Sequence, residues 1–269
     1  MKKILVVGTG GTIACVKDDN IRLDNPFKIL DYIEKKDVSF ECVSPFSVLS
    51  ENLRIDLWQK LIDYLNTVDF EKYTGIIILH GSDTLAYTGA LLGNIFYNRR
   101  IVLVASDKPV EDKTSNAIQN FENAVDFICD RVEGVYISYD KLFRAVRTVS
   151  AGENDEFFTV GRQSDFIENP VLRNKNILII TPYVGIDYSN YNLDSVDAVL
   201  HAMYHSATAP ENAAEFAAKC KKENIPFYFV TSKSSADYES AKDFGNIIFN
   251  STLENAFARL LLTDNGFQL

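Results

Sequence analysis

An α/β fold of two parallel-sheet domains is predicted by three observations. Short apolar runs alternate with segments whose apolar residues recur at helical spacing. This alternation occurs twice, on either side of a polar stretch. With 269 residues and 46% hydrophobic content, the chain can bury a substantial core and divide it between two units.

In the first half, ILVV at Ile4 to Val7, GIIIL at Gly75 to Leu79, IVLVA at Ile101 to Ala105 and GVYIS at Gly134 to Ser138 read as strands. Continuous apolar runs suit a parallel sheet, because helices cover both of its faces. Between them, Leu53, Leu57, Trp58, Leu61, Ile62 and Leu65 share one helix face, and Ile118, Phe121, Ala124 and Phe127 share another. Both segments read as amphipathic crossover helices, with Trp58 in the core. In the second half NILIITPY, DAVLHAMY, PFYFVTS and GNIIFN repeat the pattern, separated by helix-like segments over Glu211 to Lys222 and Ser235 to Phe244. A second parallel sheet of about four strands is expected there. The regular pattern lapses between Ser150 and Asn176, so the expected division is an N-terminal domain over 1–160, a linker over 161–175 and a C-terminal domain over 176–269. No internal repeat, heptad pattern or low-complexity tract points to a scaffold architecture.

Composition narrows the function. A net charge of -10 repels phosphate backbones, and no Lys/Arg-rich cluster counters it, which argues against a nucleic-acid partner. No apolar run is long enough to cross a bilayer, and the start MKKILVVG lacks the features of a secretory signal. Cys15, Cys42, Cys129 and Cys220 are scattered without a CxxC pair, so neither a zinc site nor a disulfide framework is expected, and a reducing cytoplasm fits best. His201 and His205 in HAMYH stand four apart, but the segment reads as a strand end, so a structural or rim role is expected rather than a metal site.

Chemistry concentrates at two strand ends. The first strand runs into Gly8, Thr9, Gly10, Gly11 and Thr12, where glycines let backbone N–H groups approach a ligand. A dinucleotide fingerprint would need a third glycine where Ile13 stands, and no GxxxxGK[ST] phosphate loop exists, which disfavours a nucleotide-binding dehydrogenase. A tight turn without chemistry stays open for this segment. The strand GIIIL runs into His80, Gly81, Ser82, Asp83 and Thr84 before a helix, and Ser82 with Asp83 could be no more than a helix cap. Together, two hydroxyls and a carboxylate beside free backbone amides offer a nucleophile, a proton relay and an oxyanion hole.

TGGTIA at Thr9 to Ala14 and HGSDTLAYT at His80 to Thr88 resemble the two signature stretches of bacterial-type L-asparaginases, which use a threonine nucleophile. LSENLRIDLW at Leu49 to Trp58 is similar to the family's substrate segment, and ITPYVGID at Ile180 to Asp187 to the strand opening its C-terminal domain. The resemblance implies a larger N-terminal domain, a smaller flavodoxin-like C-terminal domain, and hydrolysis of the side-chain amide of L-asparagine or a related small amide to the acid and ammonia. It implies Thr12 as nucleophile, Ser82 in place of the family's second threonine, and Asp83 as ammonium anchor and relay member. Ser50 would grip the substrate carboxylate, with Gly11, Glu51, Gly81 and Ser106 lining the substrate. An amino-acid substrate, a homodimer or homotetramer, and no cofactor complete the expectation.

The pattern breaks in places. Ser150 stands where the relay lysine is expected; Lys141 lies close in sequence and Lys113 follows an earlier strand, but lysines on loops are expected to be solvated rather than to take its place. The loop CVKDDNIRLDNPFK after Thr12 lacks the family's tyrosine, the first tyrosine being Tyr32 in a helix-like segment. Asn116 and Thr208 replace a common aspartate and asparagine, and Glu51 adds a negative charge near Asp83. These departures motivate an alternative reading, a catalytically weak protein that binds an amino acid.

Overall fold

The computed structural model describes residues 1–130, 132–162, 167–239 and 244–263. Of the expected linker, 163–166 lie outside the described residues, as do 240–243 of the helix expected from Ser235 to Phe244. The chain forms two compact units, Met1–Thr159 and Val160–Leu269.

The first unit runs β1 (Lys2–Gly8), β2 (Cys15–Lys17), β3 (Ile21–Leu23), β4 (Val38–Val43), α1 (Ile55–Thr67), β5 (Gly75–Leu79), α2 (Leu85–Ile95), β6 (Arg100–Val104), α3 (Ala117–Cys129), β7 (Gly134–Tyr139), β8 (Lys141–Arg144), β9 (Thr148–Val149) and β10 (Phe158–Thr159). Six strands form the main sheet in the order β4-β1-β5-β6-β7-β8. All neighbours are parallel except β7 and β8. Ile4, Val6, Ile77, Leu79, Val102 and Val104 of the sheet pack with Phe121, Ala124, Val125 and Ile128 of α3. Each of these valine, leucine, isoleucine and phenylalanine side chains contributes roughly 1.5–3 kcal/mol on burial.

The strand order sets the site. The chain leaves β1 for β4 on one side and returns to β5 on the other, so the loops after β1 and β5 leave the same sheet edge side by side. The carboxyl ends of β6 and β7 are held by buried Asn120 of α3, whose Nδ2 donates to Ala105 O at 2.9 Å and whose Oδ1 accepts from Asp140 N at 2.7 Å. Two strands of the main sheet, β4 and β8, go beyond the sequence expectation, as do the short pairs β2/β3 and β9/β10 outside it. β4 is a partly exposed edge strand of mixed polarity, and β8 turns back through Asp140, whose φ of 53° fits a tight hairpin.

The second unit runs β11 (Ile177–Ile180), β12 (Ala198–Ala202), α4 (Asn212–Lys222), β13 (Phe227–Val230), β14 (Ile247–Ile248) and α5 (Leu253–Leu262). Its four strands lie in sequence order and all pair in parallel. Val199 and Phe229 pack with Phe216 and Cys220 of α4, while Leu200, Tyr228 and Val230 pack with Ala256 and Leu260 of α5. The backbone over 235–238, where a helix was expected, is not helical. Serine and aspartate compete for backbone hydrogen bonds there, and Ala236 alone of those residues packs on the core. His201 is a buried core residue: Nε2 accepts from the Tyr188 hydroxyl at 2.7 Å and Nδ1 donates to Ala202 O at 2.7 Å. His205 is exposed. No helix among the described residues is long and apolar enough to cross a membrane.

Candidate active site

Three segments distant in sequence meet at the carboxyl edge of β1 and β5. Gly10 bridges Val48, with Gly11 N donating to Val48 O at 3.0 Å and Val48 N to Thr9 O at 3.1 Å. Gly11 has φ 78° and ψ 179°, a region that side chains all but exclude. A Cβ there would lie 2.2 Å from Gly81 N, so the two glycine loops touch backbone to backbone. A Cβ on Gly81 would in turn lie 2.4 Å from Ser50 Oγ, and that hydroxyl donates to Asp83 Oδ2 at 3.0 Å. Backbone N–H groups, a hydroxyl and a carboxylate are thereby packed at a spacing that only glycines permit.

Thr12 follows Gly11 directly and opens the 3-10 turn Thr12–Ala14. The Thr9 hydroxyl donates to Leu79 O at 2.7 Å, whereas the Thr12 hydroxyl makes no hydrogen bond among the described residues. Ser82 and Asp83 lie in the turn between β5 and α2, closed by Leu85 N donating to Ser82 O at 3.2 Å. The Thr84 hydroxyl donates to Ser50 O at 3.3 Å, a second tie to the Ser50 segment. Glu51 is exposed in the 3-10 turn Ser50–Asn52. Burial first, and then the Glu51 charge, raises the pKa of the Cys15 thiol, which donates to Gly11 O at 3.3 Å. Ser106 is fully buried after β6, and its hydroxyl donates to Lys108 O at 2.7 Å. Gly11, Ser50, Gly81 and Asp83 are therefore joined by direct contacts, Thr12 and Ser82 adjoin them in the chain, and the side chain of Ser106 serves its own turn.

Behind the Gly81 loop runs a buried polar chain that sequence patterns do not assemble. Trp58 Nε1 donates to Thr88 Oγ1 at 2.8 Å, Thr88 Oγ1 meets His80 Nε2 at 2.9 Å, and His80 Nδ1 donates to Gly81 O at 2.9 Å. Burial lowers the His80 pKa to about 4, the bond to Gly81 O opposing the shift. The signal in the sequence is slight: a histidine directly after a fully buried strand, and a core tryptophan whose N–H needs a partner.

The family model described as Asparaginase, N-terminal matches residues 3–160. The chain belongs to the asparaginase family. This asparaginase-family chain is 29% identical over 153 residues to an L-asparaginase of Thermococcus kodakarensis, covering 54% of the chain and 46% of that relative. It is 27% identical over 135 residues to one component of a glutamyl-tRNA(Gln) amidotransferase of Aeropyrum pernix, covering 46% of the chain and 31% of that relative. The aligned stretch thus spans less than half the length of these relatives. In structure the family member matches L-asparaginase I from Vibrio cholerae with a TM-score of 0.78 at 23% identity, covering 97% of the chain and 92% of that one. The two-domain α/β fold expected from the sequence is the fold this family member has.

Where the family resemblance implies a tyrosine after Thr12, the asparaginase-family chain folds as the β2/β3 hairpin. With Pro109, Glu111 and Asp112 the hairpin region walls a cleft of about 410 Å³ that also presents Lys17, Asp18, Arg22, Asp24 and Lys28, and Lys28 is ion-paired with Glu111. Ser150 follows β9 and is partly buried, while Lys113 and Lys141 are both exposed.

Proposed function

We propose that this protein hydrolyses the side-chain amide of L-asparagine or a closely related small amino acid to the acid and ammonia. The carrying observation is the backbone contact between Gly11 and Gly81, which sets the residues that follow them, Thr12 and Ser82, in adjoining loops beside the Ser50–Asp83 pair. In this reading the Thr12 hydroxyl attacks the amide carbon as the C–O bond forms, and the carbonyl electrons move to oxygen, where N–H groups of Thr12 and Ser82 receive the charge. The Thr12 proton passes through Ser82 to the nitrogen, collapse breaks the C–N bond and ammonia leaves; water then attacks the acyl carbon, the ester C–O bond breaks, and a water proton returns through Ser82 to Thr12 as the acid is released. Asp83 and Glu51 face the substrate ammonium, Ser50 and the backbones of Gly11 and Gly81 its carboxylate, and the backbone carbonyl of Ser106 its amide N–H. A homodimer or homotetramer in a reducing cytoplasm completes the proposal, which the free thiols of Cys15, Cys42, Cys129 and Cys220 fit.

Ammonia release from asparagine, glutamine and a panel of small amides, compared between wild type and Thr12→Ala, tests it. The glutamine arm matters because the matched relatives include components of glutamyl-tRNA(Gln) amidotransferases. Expected is turnover of asparagine by wild type and loss of at least about a hundredfold in Thr12→Ala. Activity untouched by the substitution removes Thr12 from the mechanism. A second reading, a weakly active amino-acid binder, is favoured by Ser150 at the relay position with Lys113 and Lys141 exposed. It predicts a melting temperature raised saturably by aspartate without turnover.

A further inference from the structure

The Trp58, Thr88 and His80 chain ends on one atom of the proposed site, the carbonyl oxygen of Gly81. Its polarity is forced. A carbonyl only accepts, so His80 Nδ1 carries the proton, and the Nε2 of a neutral ring then accepts. The Thr88 hydroxyl therefore donates to Nε2 and uses a lone pair for the Trp58 N–H, so each bond of the chain has a donor and an acceptor. Exposure is 6% for Trp58, 0% for Thr88 and 2% for His80, so water does not compete for these bonds.

The need for such a chain follows from Gly81 itself. A Cβ at this position would lie 2.4 Å from Ser50 Oγ and 2.5 Å from Ser50 Cβ, so only glycine fits without moving the Ser50 side chain. Glycine leaves the adjoining peptide plane free to rotate. The Gly81–Ser82 peptide is trans, as are all described peptides, so its N–H points opposite to its C=O. Pinning Gly81 O to His80 aims the Ser82 N–H away from His80, and no acceptor among the described residues takes that N–H. We infer that Trp58, Thr88 and His80 are positioning residues that lock the Gly81–Ser82 peptide and so present the Ser82 N–H as a preset donor to the charged oxygen of the reaction. This rests on the amide-hydrolysis reading above.

The test uses the full chain with Thr88→Val, which keeps the shape and removes the hydroxyl, and Thr88→Ser, which restores it. For folded proteins, Thr88→Val is expected to lower kcat on asparagine about tenfold or more with KM changed less than about twofold, since the donor serves the transition state. Thr88→Ser is expected to recover most of kcat. An unchanged kcat in Thr88→Val, a change confined to KM, or an equal loss in Thr88→Ser overturns the inference. Imidazole nitrogen NMR on wild type decides it without activity: the ring of His80 must be protonated on Nδ1, and protonation on Nε2 overturns the inference. If wild type releases no ammonia from any amide, the hydrolysis reading fails alone. The positioning inference is then supported by a Ser82 amide resonance displaced in Thr88→Val and restored in Thr88→Ser, and is overturned by one that does not move.

Discussion

Two buried neutral histidines should make each unit lose stability in mild acid, well before its carboxylates are titrated. Burial lowers His80 and His201 from the usual 6.5 to about 4 each. The unfolded chain takes up a proton on each as pH falls through 6.5, while the folded chain takes none until about 4. Stability from each histidine is thus complete above the unfolded value, falls as pH drops through this window, and stops falling below it. At about 1.4 kcal/mol per pH unit, each contributes about 3 kcal/mol in full, of which about 2 kcal/mol is lost between about pH 7 and about pH 5. Glu41, held down at about 2 by Lys3, Tyr73 and Lys72, acts in a lower window and leaves this one clear. Trp58 is the one tryptophan of the chain and lies in the first unit, so its fluorescence in urea titrations reports that unit alone. Wild type should lose about 2 kcal/mol over this range, and His80→Asn should lose far less whatever its starting stability. Equal losses in the two proteins would refute the neutral, buried assignment of His80.

Gly11→Ala should destabilise the first unit by about 2–6 kcal/mol, combining about 1–3 for a glycine-only conformation with about 1–3 for overpacking against Gly81; a urea midpoint within error of wild type would contradict the close backbone contact. Gly81→Ala meets the side chain of Ser50 first and the Gly11 backbone only at 3.1 Å, so a smaller stability loss should accompany rupture of the 3.0 Å bond to Asp83 and a KM for asparagine raised about tenfold. An unchanged KM would detach Ser50 and Asp83 from substrate binding. Thr252→Ala removes the cap that accepts from Asn255 N at 3.0 Å and should cost the second unit about 1 kcal/mol in thermal or urea unfolding, and no measurable loss would mean that α5 is held by packing alone.

Much of the fold was legible because parallel strands buried on both faces leave continuous apolar runs. Ile4 to Val7 and Gly75 to Leu79 read as strands for that reason, and the face of α1 followed from helical spacing. β4, with its mixed and partly exposed residues, carries no such run, and the short β2/β3 hairpin offers too few residues for a period to show. The helix expected from Ser235 shows the converse failure, where spacing suggested a face but few of its described residues had a core to meet.

Which residues could do chemistry at strand ends is legible from the chain alone, because glycine, threonine, serine and aspartate cluster where a buried strand stops. That these ends are neighbours is a matter of packing, since strand order places β5 beside β1 across some seventy residues of chain. Packing alone also links Trp58 to Thr88 and Thr88 to His80, separations of 30 and 8 residues, because hydrogen bonds between side chains depend on how helices pack and leave no period in the sequence.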